Sequence, residues 1–168
     1  MTPRALPKLA MRPMLPEDVP LLAEIFRASI EELTADDYSE APRQAWAEAA
    51  DDLAEFGARL AGALTLVATF AGSAVGFASL ADNARIDMLY VYPAAAGQGA
   101  GAMLCDALEK LAAARGTKEL TVEASDTARG FFERRGFTAR TRNAVLLAGE
   151  WLATTTMVKP LTAKGSAS

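Results

Sequence analysis

A mixed α/β fold, one sheet covered by helices on both faces, is predicted by three features of this sequence. The hydrophobic period switches between helical and alternating along the chain. Strand-prone runs cluster in the middle and at the end. A glycine-rich turn joins a strand to a long helix-forming stretch. With 168 residues, the chain has the length of one domain and can bury a sizeable core. We expect an N-terminal extension over 1–8, a single domain over 9–161 and a C-terminal tail over 162–168.

LAMRP (Leu9 to Pro13) reads as a first strand. PEDVPLLAEIFRASIEEL then opens on Glu17 and Asp18, acidic residues that suit a helix N-terminus, and Leu21, Leu22, Ile25, Phe26, Ser29, Ile30 and Leu33 follow at helical spacing. TADDYSEAPRQ is a polar connection, and AWAEAADDLAEFGARL predicts a second helix with Trp46, Leu53 and Phe56 on its apolar face. In TLVATFAGSAVGFASLAD the period becomes two, with a turn around Gly72-Ser73, so a hairpin is expected. RIDMLYVYP is a third strand-prone run, ended by Pro93.

From Gly99 to Arg115 the chain turns helical, with Leu104, Cys105, Leu108, Leu111 and Ala112 on one face and Gly116 as the stop. KELTVEAS is another strand and SDTARGFFERRG a short helix capped by Ser125 or Asp126. FTARTRNAV with EWLATTTMVKPL closes the chain as a hairpin. The order is β-α-α-β-β-β-α-β-α-β-β.

Composition narrows the chemistry. Apolar residues make up 51%, charged 23% and aromatic 7%, the profile of a globular protein. A net charge of −4 supplies no basic footprint, so no nucleic acid partner is expected. One cysteine excludes an internal disulfide and suits a reducing cytoplasm. The absence of histidine removes His-based triads, dyads and the commonest zinc ligand, so carboxylates, hydroxyls and backbone must do the work and no metal is expected. MTPRALPKLA has no continuous apolar core for a signal peptide, and no run is apolar over the ~20 residues that cross a bilayer, so no membrane association is expected.

PAAAGQGAGA, from Pro93 to Ala102, is the most informative stretch. Glycine inside an element costs roughly 0.5–1 kcal/mol against alanine, so Gly97, Gly99 and Gly101 answer to a backbone need. A plain loop and a dinucleotide turn, G-x-G-x-x-A, both fit the spacing. The second is disfavoured because Pro93 and three alanines intervene after the strand and a hairpin precedes it. Between a strand and a helix, unpartnered N–H groups and the positive end of the helix dipole make an anion cradle, the reading we favour.

IDMLYVYPAAAGQGAGAMLCDALEKLAAARG followed by ELTVEASDTARGFFERRGF resembles the GNAT superfamily of acyl-CoA-dependent N-acetyltransferases, and the likeness in element order runs from Leu9 onward. D-D-Y-S-x-x-x-R-Q-x-W, I-D-M-L-Y-V, E-A-S-x-x-A-x-x-F-F-E-R-x-G-F and E-W-L-x-x-x-x-M, in that order, resemble a bacterial subgroup mostly of unassigned substrate. The resemblance implies a mostly antiparallel sheet and acetyl-CoA as co-substrate. The family loop pattern falls on Ala96, Gly97, Gln98, Gly99, Ala100 and Gly101, with Ala102 next, as the diphosphate site. Met88, Leu89, Tyr90 and Val91 would pair with the pantetheine arm at a split in the sheet. Thr127 stands where many members carry an asparagine that touches pantetheine, and Ala128, Phe131 and Phe132 would line the thiol end. Two positions depart from the family: Ala96 replaces an arginine or glutamine, and Phe132 replaces a tyrosine that protonates the leaving thiolate.

The implied activity is transfer of an acetyl group to an amine by direct attack in a ternary complex. The alternative is an acyl-CoA-binding sensor or interaction module without turnover, suggested by Ala96 and Phe132. Asp87 and Glu123 are the candidate bases, and a strand N–H in a bulge between Met88 and Val91 the candidate oxyanion donor. Tyr38 is a candidate acid or substrate contact, Trp46 a wall of the acceptor pocket, and Ser125 a substrate contact or a helix cap. Glu31, Glu32, Asp36 and Asp37 form an acidic run suited to drawing a cation or to facing solvent, and Cys105 is expected in the core. The acceptor is a small-molecule or peptide amine, and the closing hairpin leaves an edge suited to a homodimer.

Overall fold

The computed structural model describes residues 8–161; apart from Lys8, the expected extension over 1–8 and the tail over 162–168 lie outside the described residues. In chain order the elements are β1 (Leu9–Pro13), α1 (Val19–Leu33), α2 (Glu40–Ala47), α3 (Leu53–Ala61), β2 (Leu64–Phe70), β3 (Ser73–Ala81) and β4 (Arg85–Val91). They are followed by α4 (Ala100–Ala114), β5 (Glu119–Ser125), α5 (Arg129–Arg134), β6 (Thr138–Leu147) and β7 (Glu150–Pro160). The strands form one seven-stranded sheet in the order β1-β2-β3-β4-β5-β7-β6. All neighbours are antiparallel except β4 and β5. The mixed, mostly antiparallel sheet is therefore as expected.

Two cores lie on opposite faces of the sheet. On one face Leu22, Ile25 and Phe26 of α1, with Phe56 and Leu60 of α3, bury against Val67, Phe77 and Met88. On the other, Leu104, Cys105 and Leu108 of α4 and Phe132 of α5 bury against Ala78, Leu80, Ile86, Leu120 and Val122. Each fully buried large side chain stabilises by about 1.5–3 kcal/mol, so these faces hold the helices to the sheet. Cys105 is fully buried here, and burial pushes its thiol up to about 12.

The expected single helix over AWAEAADDLAEFGARL is two. α2 begins at Glu40, inside the supposed polar connection, and a turn through Asp51-Asp52 separates it from α3. Asp52 takes an extended conformation, and its carboxylate accepts the Glu55 N–H at 3.1 Å, which starts a new helix. Leu53, expected on the apolar face, is exposed as a result, whereas Phe56 is buried. The β2–β3 turn is centred on Ala71-Gly72, both with positive φ (52° and 85°), one residue earlier than expected. That geometry matches the twist of a two-residue hairpin.

Replacing Asp52 by alanine removes the α3 cap and is expected to destabilise the fold by about 0.5–2 kcal/mol. Urea unfolding should show a lower midpoint with an unchanged slope.

Candidate active site

β4 and β5 pair over just two positions, Arg85↔Thr121 and Ile86↔Val122, and then separate. At the point of separation β4 carries a bulge: Ser79 opposes Met88 and Leu80 opposes Ile86, leaving Asp87 as the extra residue. The bulge lies at Asp87, one residue before the stretch in which it was expected. Two cavities flank the split, and Trp46, Leu89, Tyr90, Ser125 and Ala128 line both.

The first cavity, about 340 Å³, runs from the split to the glycine turn along Leu89, Tyr90, Val91 and Phe131. Gly97 and Gly99 have φ of 81° and 93°, a region closed to most side chains, whereas Gly101 does not require its glycine for this reason and faces the Phe131 ring. The N–H groups of Ala96, Gln98 and Met103 bond to Pro93, Ala95 and Gly99 carbonyls. Those of Gly97, Gly99, Ala100, Gly101 and Ala102 have no backbone acceptor among the described residues. The cradle therefore rests on these five N–H groups at the start of α4, and it suits an anion. Ala96 lines the cavity without offering its N–H, and Gln98 does not line it.

The second cavity, about 300 Å³, is charged. Asp87 and Glu123 both line it, together with Arg59 and Arg85. Arg59 clasps Asp87 through Nε and Nη2 at 2.8 and 3.1 Å, and Arg85 Nη1 approaches it at 2.6 Å. Burial pushes the Asp87 carboxyl up, but the hydrogen bonds and charges of the two guanidiniums outweigh burial and hold it below its ordinary value. A carboxylate so neutralised is a poor proton acceptor, which argues against Asp87 as base. Glu123 has no cationic partner among the described residues. Asn143 Nδ2 (2.7 Å), Thr156 Oγ1 (2.9 Å) and Thr154 Oγ1 all donate to it and fix its position at the split. Met88 and Phe132 line this cavity and not the first, and both side chains are buried.

Tyr38 lines neither cavity. Its hydroxyl donates to the Ala153 carbonyl at 2.5 Å and accepts the Asp126 N–H at 2.7 Å, so its proton is committed to the backbone. Burial also raises its pKa. In this structure Tyr38, expected as an acid or substrate contact, ties the α1–α2 connection to β7 and to the turn after β5. Thr127 lines the first cavity, but its hydroxyl donates to Asp37 at 2.7 Å. Ser125 Oγ accepts the Ala128 N–H at 3.1 Å, a cap on the turn into α5, while the residue also lines both cavities.

Trp46 walls both cavities and donates from Nε1 to the Tyr90 hydroxyl at 3.2 Å. The Tyr90 side chain was not singled out by sequence reasoning, which considered only its backbone. It packs edge-on against Phe26 (4.7 Å between centroids), and burial pushes its phenol up to about 12. Arg59 and Arg85 were also missed. The alternation of RID around Asp87 offered a signal for Arg85, whereas Arg59 lies 28 residues away and nothing local announces it.

An N-acetyltransferase class is what this split sheet and anion cradle define, and comparison with known proteins assigns the family. Residues 34–161 match the acetyltransferase (GNAT) domain family, and the chain belongs to it; it is an acetyltransferase. The uncharacterized N-acetyltransferase YafP of Escherichia coli K12 is 33% identical over 143 residues, 85% of this chain and 90% of that protein. A crystal structure of a GCN5-related N-acetyltransferase from Rhodopseudomonas palustris superposes with a TM-score of 0.90 at 58% identity, covering 96% of this chain and 99% of that one. The PaiA N-acetyltransferase of Thermoplasma acidophilum, solved with coenzyme A, shares the fold (TM-score 0.74, 20% identity, 91% and 99% covered).

Tyr38→Phe is expected to cost about 1–3 kcal/mol by leaving a buried backbone donor and acceptor without a partner, with the pH–rate profile unchanged. A profile shifted in its basic limb would restore Tyr38 as an acid. Asp87, with its lowered folded pKa, contributes stability that is complete above its unfolded pKa of ~3.9 and is lost as pH falls through the folded value. Asp87→Asn should therefore flatten the acid limb of a stability-versus-pH curve, measured by urea midpoints between pH 7 and pH 2.

Proposed function

We propose that the chain transfers the acetyl group of acetyl-CoA to an amine by direct attack within a ternary complex. The carrying observation is that two cavities meet at the β4–β5 split, one leading to the free N–H groups of the glycine turn and the other holding Glu123. In this reading the diphosphate rests on the N–H groups of Gly97 and Gly99 to Ala102. The pantetheine arm lies along Leu89, Tyr90 and Val91, and the amine enters through the charged cavity. With Ala96 in place of a charged or amide side chain, one charge-assisted hydrogen bond, about 1.5–3 kcal/mol, is missing from the diphosphate site.

An alkyl ammonium has a pKa of ~10.4 and must lose a proton before it can attack. Glu123 is the carboxylate suited to take it, directly or through a water, because no cation neutralises it among the described residues. The amine nitrogen then adds to the thioester carbonyl carbon, the C–S bond breaks, and coenzyme A leaves as a thiolate. A thiol of pKa ~8.5 is a good enough leaving group that Phe132 need not be an acid. Burial pushes the Tyr90 phenol up to about 12, so it stands at the split as a protonated hydroxyl. A non-transferring acyl-CoA module has less in its support, since it leaves the charged cavity beside the split without a purpose.

Isothermal titration calorimetry should show acetyl-CoA binding at sub-millimolar concentration; no heat at that concentration overturns the reading. Gly99→Ala, forced to a φ of 93°, is expected to weaken that binding about tenfold, ~1.4 kcal/mol. Glu123→Gln should lower kcat by about 10²–10⁴-fold with the acetyl-CoA Kd unchanged. An unaltered kcat removes Glu123 as base.

A further inference from the structure

The charged cavity is asymmetric. On one wall two guanidiniums converge on a single carboxylate, and on the other a carboxylate stands without a cation. Asp87 engages Nε and Nη2 of Arg59 and Nη1 of Arg85, so Arg59 Nη1 and Arg85 Nε and Nη2 retain N–H donors with no protein partner among the described residues. Both arginine side chains are 49% exposed, whereas that of Asp87 is 11% exposed. The wall therefore carries surplus positive charge and unpaired donors on its two more exposed groups, while its one negative charge is the more buried. Glu123 is held by three neutral donors, Asn143, Thr154 and Thr156, and contributes surplus negative charge at the split. The volume, about 300 Å³, suits a molecule of amino-acid or dipeptide size.

From this juxtaposition we propose that the acceptor is a small dipolar amine, one whose ammonium faces Glu123 while a carboxylate on the same molecule takes the free donors of Arg59 and Arg85. The proposal rests on the acetyl-transfer reading of the same site. Planar guanidiniums match a carboxylate in pairs of parallel hydrogen bonds, which fixes the acceptor's orientation as well as its affinity. A diamine of the same length would bring a second cation against two arginines, and an uncharged amide would leave their surplus charge uncompensated. The carboxylate is unchanged in the reaction. The amine loses two protons and gains the acetyl group; coenzyme A leaves as a thiolate that then takes up one of those protons, and the other passes through Glu123 to solvent.

The test is thiol release from saturating acetyl-CoA by the full chain, with α-amino acids and dipeptides set against their own carboxamides and against diamines of equal length. The acids should be preferred about tenfold or more in kcat/KM over the carboxamides, and Arg59→Gln and Arg85→Gln should each bring that ratio towards one through KM. Circular dichroism confirms that the variants fold; where one does not, the ratio in the unsubstituted protein decides. Carboxamides or diamines accepted as well as the acids overturn the proposal, and so does acetyl-CoA binding without transfer to any acid. Failure of acetyl-CoA to bind in the calorimeter is a separate result, which overturns the acetyl-transfer reading itself.

Discussion

The separation of β4 from β5 is the constraint on which the site depends. β4 belongs to the antiparallel block that runs back to β1, and β5 is paired along all of its length to β7. Between the two blocks only Arg85↔Thr121 and Ile86↔Val122 hold a parallel ladder. Beyond them the backbone groups of two strands face a gap, which side chains and a ligand must fill. α4 provides the crossover between these strands and covers the gap from one face, while α1 and α2 cover it from the other. Because the turn into α4 begins where β4 ends, the helix N-terminus and the split are two ends of one cavity.

The same split places two carboxylates in different surroundings. Asp87 is the bulge residue, turned towards α3, where Arg59 meets it. Glu123 is on β5, and its partners are neutral side chains of β6 and β7: Asn143, Thr154 and Thr156. One acid is neutralised by cations and the other is positioned without neutralisation.

Much of the fold was legible because burial leaves a periodic record. The helical spacing of Leu104, Cys105 and Leu108 reports a single buried face, whereas TLVATF buries Val67 on one face of the sheet and Ala68 on the other. The break between α2 and α3 was obscured because alanine-rich flanks are helix-forming on both sides, and only the Asp52 cap decides the boundary. The glycine turn was legible as a place of unpartnered N–H groups, although the N–H of Gln98, one of its expected members, is used to close the turn itself. The bonding of Tyr38 was not legible, because a tyrosine in a polar connection carries no mark of the backbone groups it meets across 88 and 115 residues.

By itself the sequence determined the class of fold, the place of the glycine turn and a short roster of acids, since each follows from local pattern and residue type. Tertiary structure alone decided which acid is free. That Asp87 is clasped by Arg59 and Glu123 is not depends on α3 packing beside α1 and β2, within reach of β4, and on the β6–β7 hairpin lying beside β5. Electrostatic environment is a property of what surrounds a group in space, and neighbours in space are chosen by packing between distant segments.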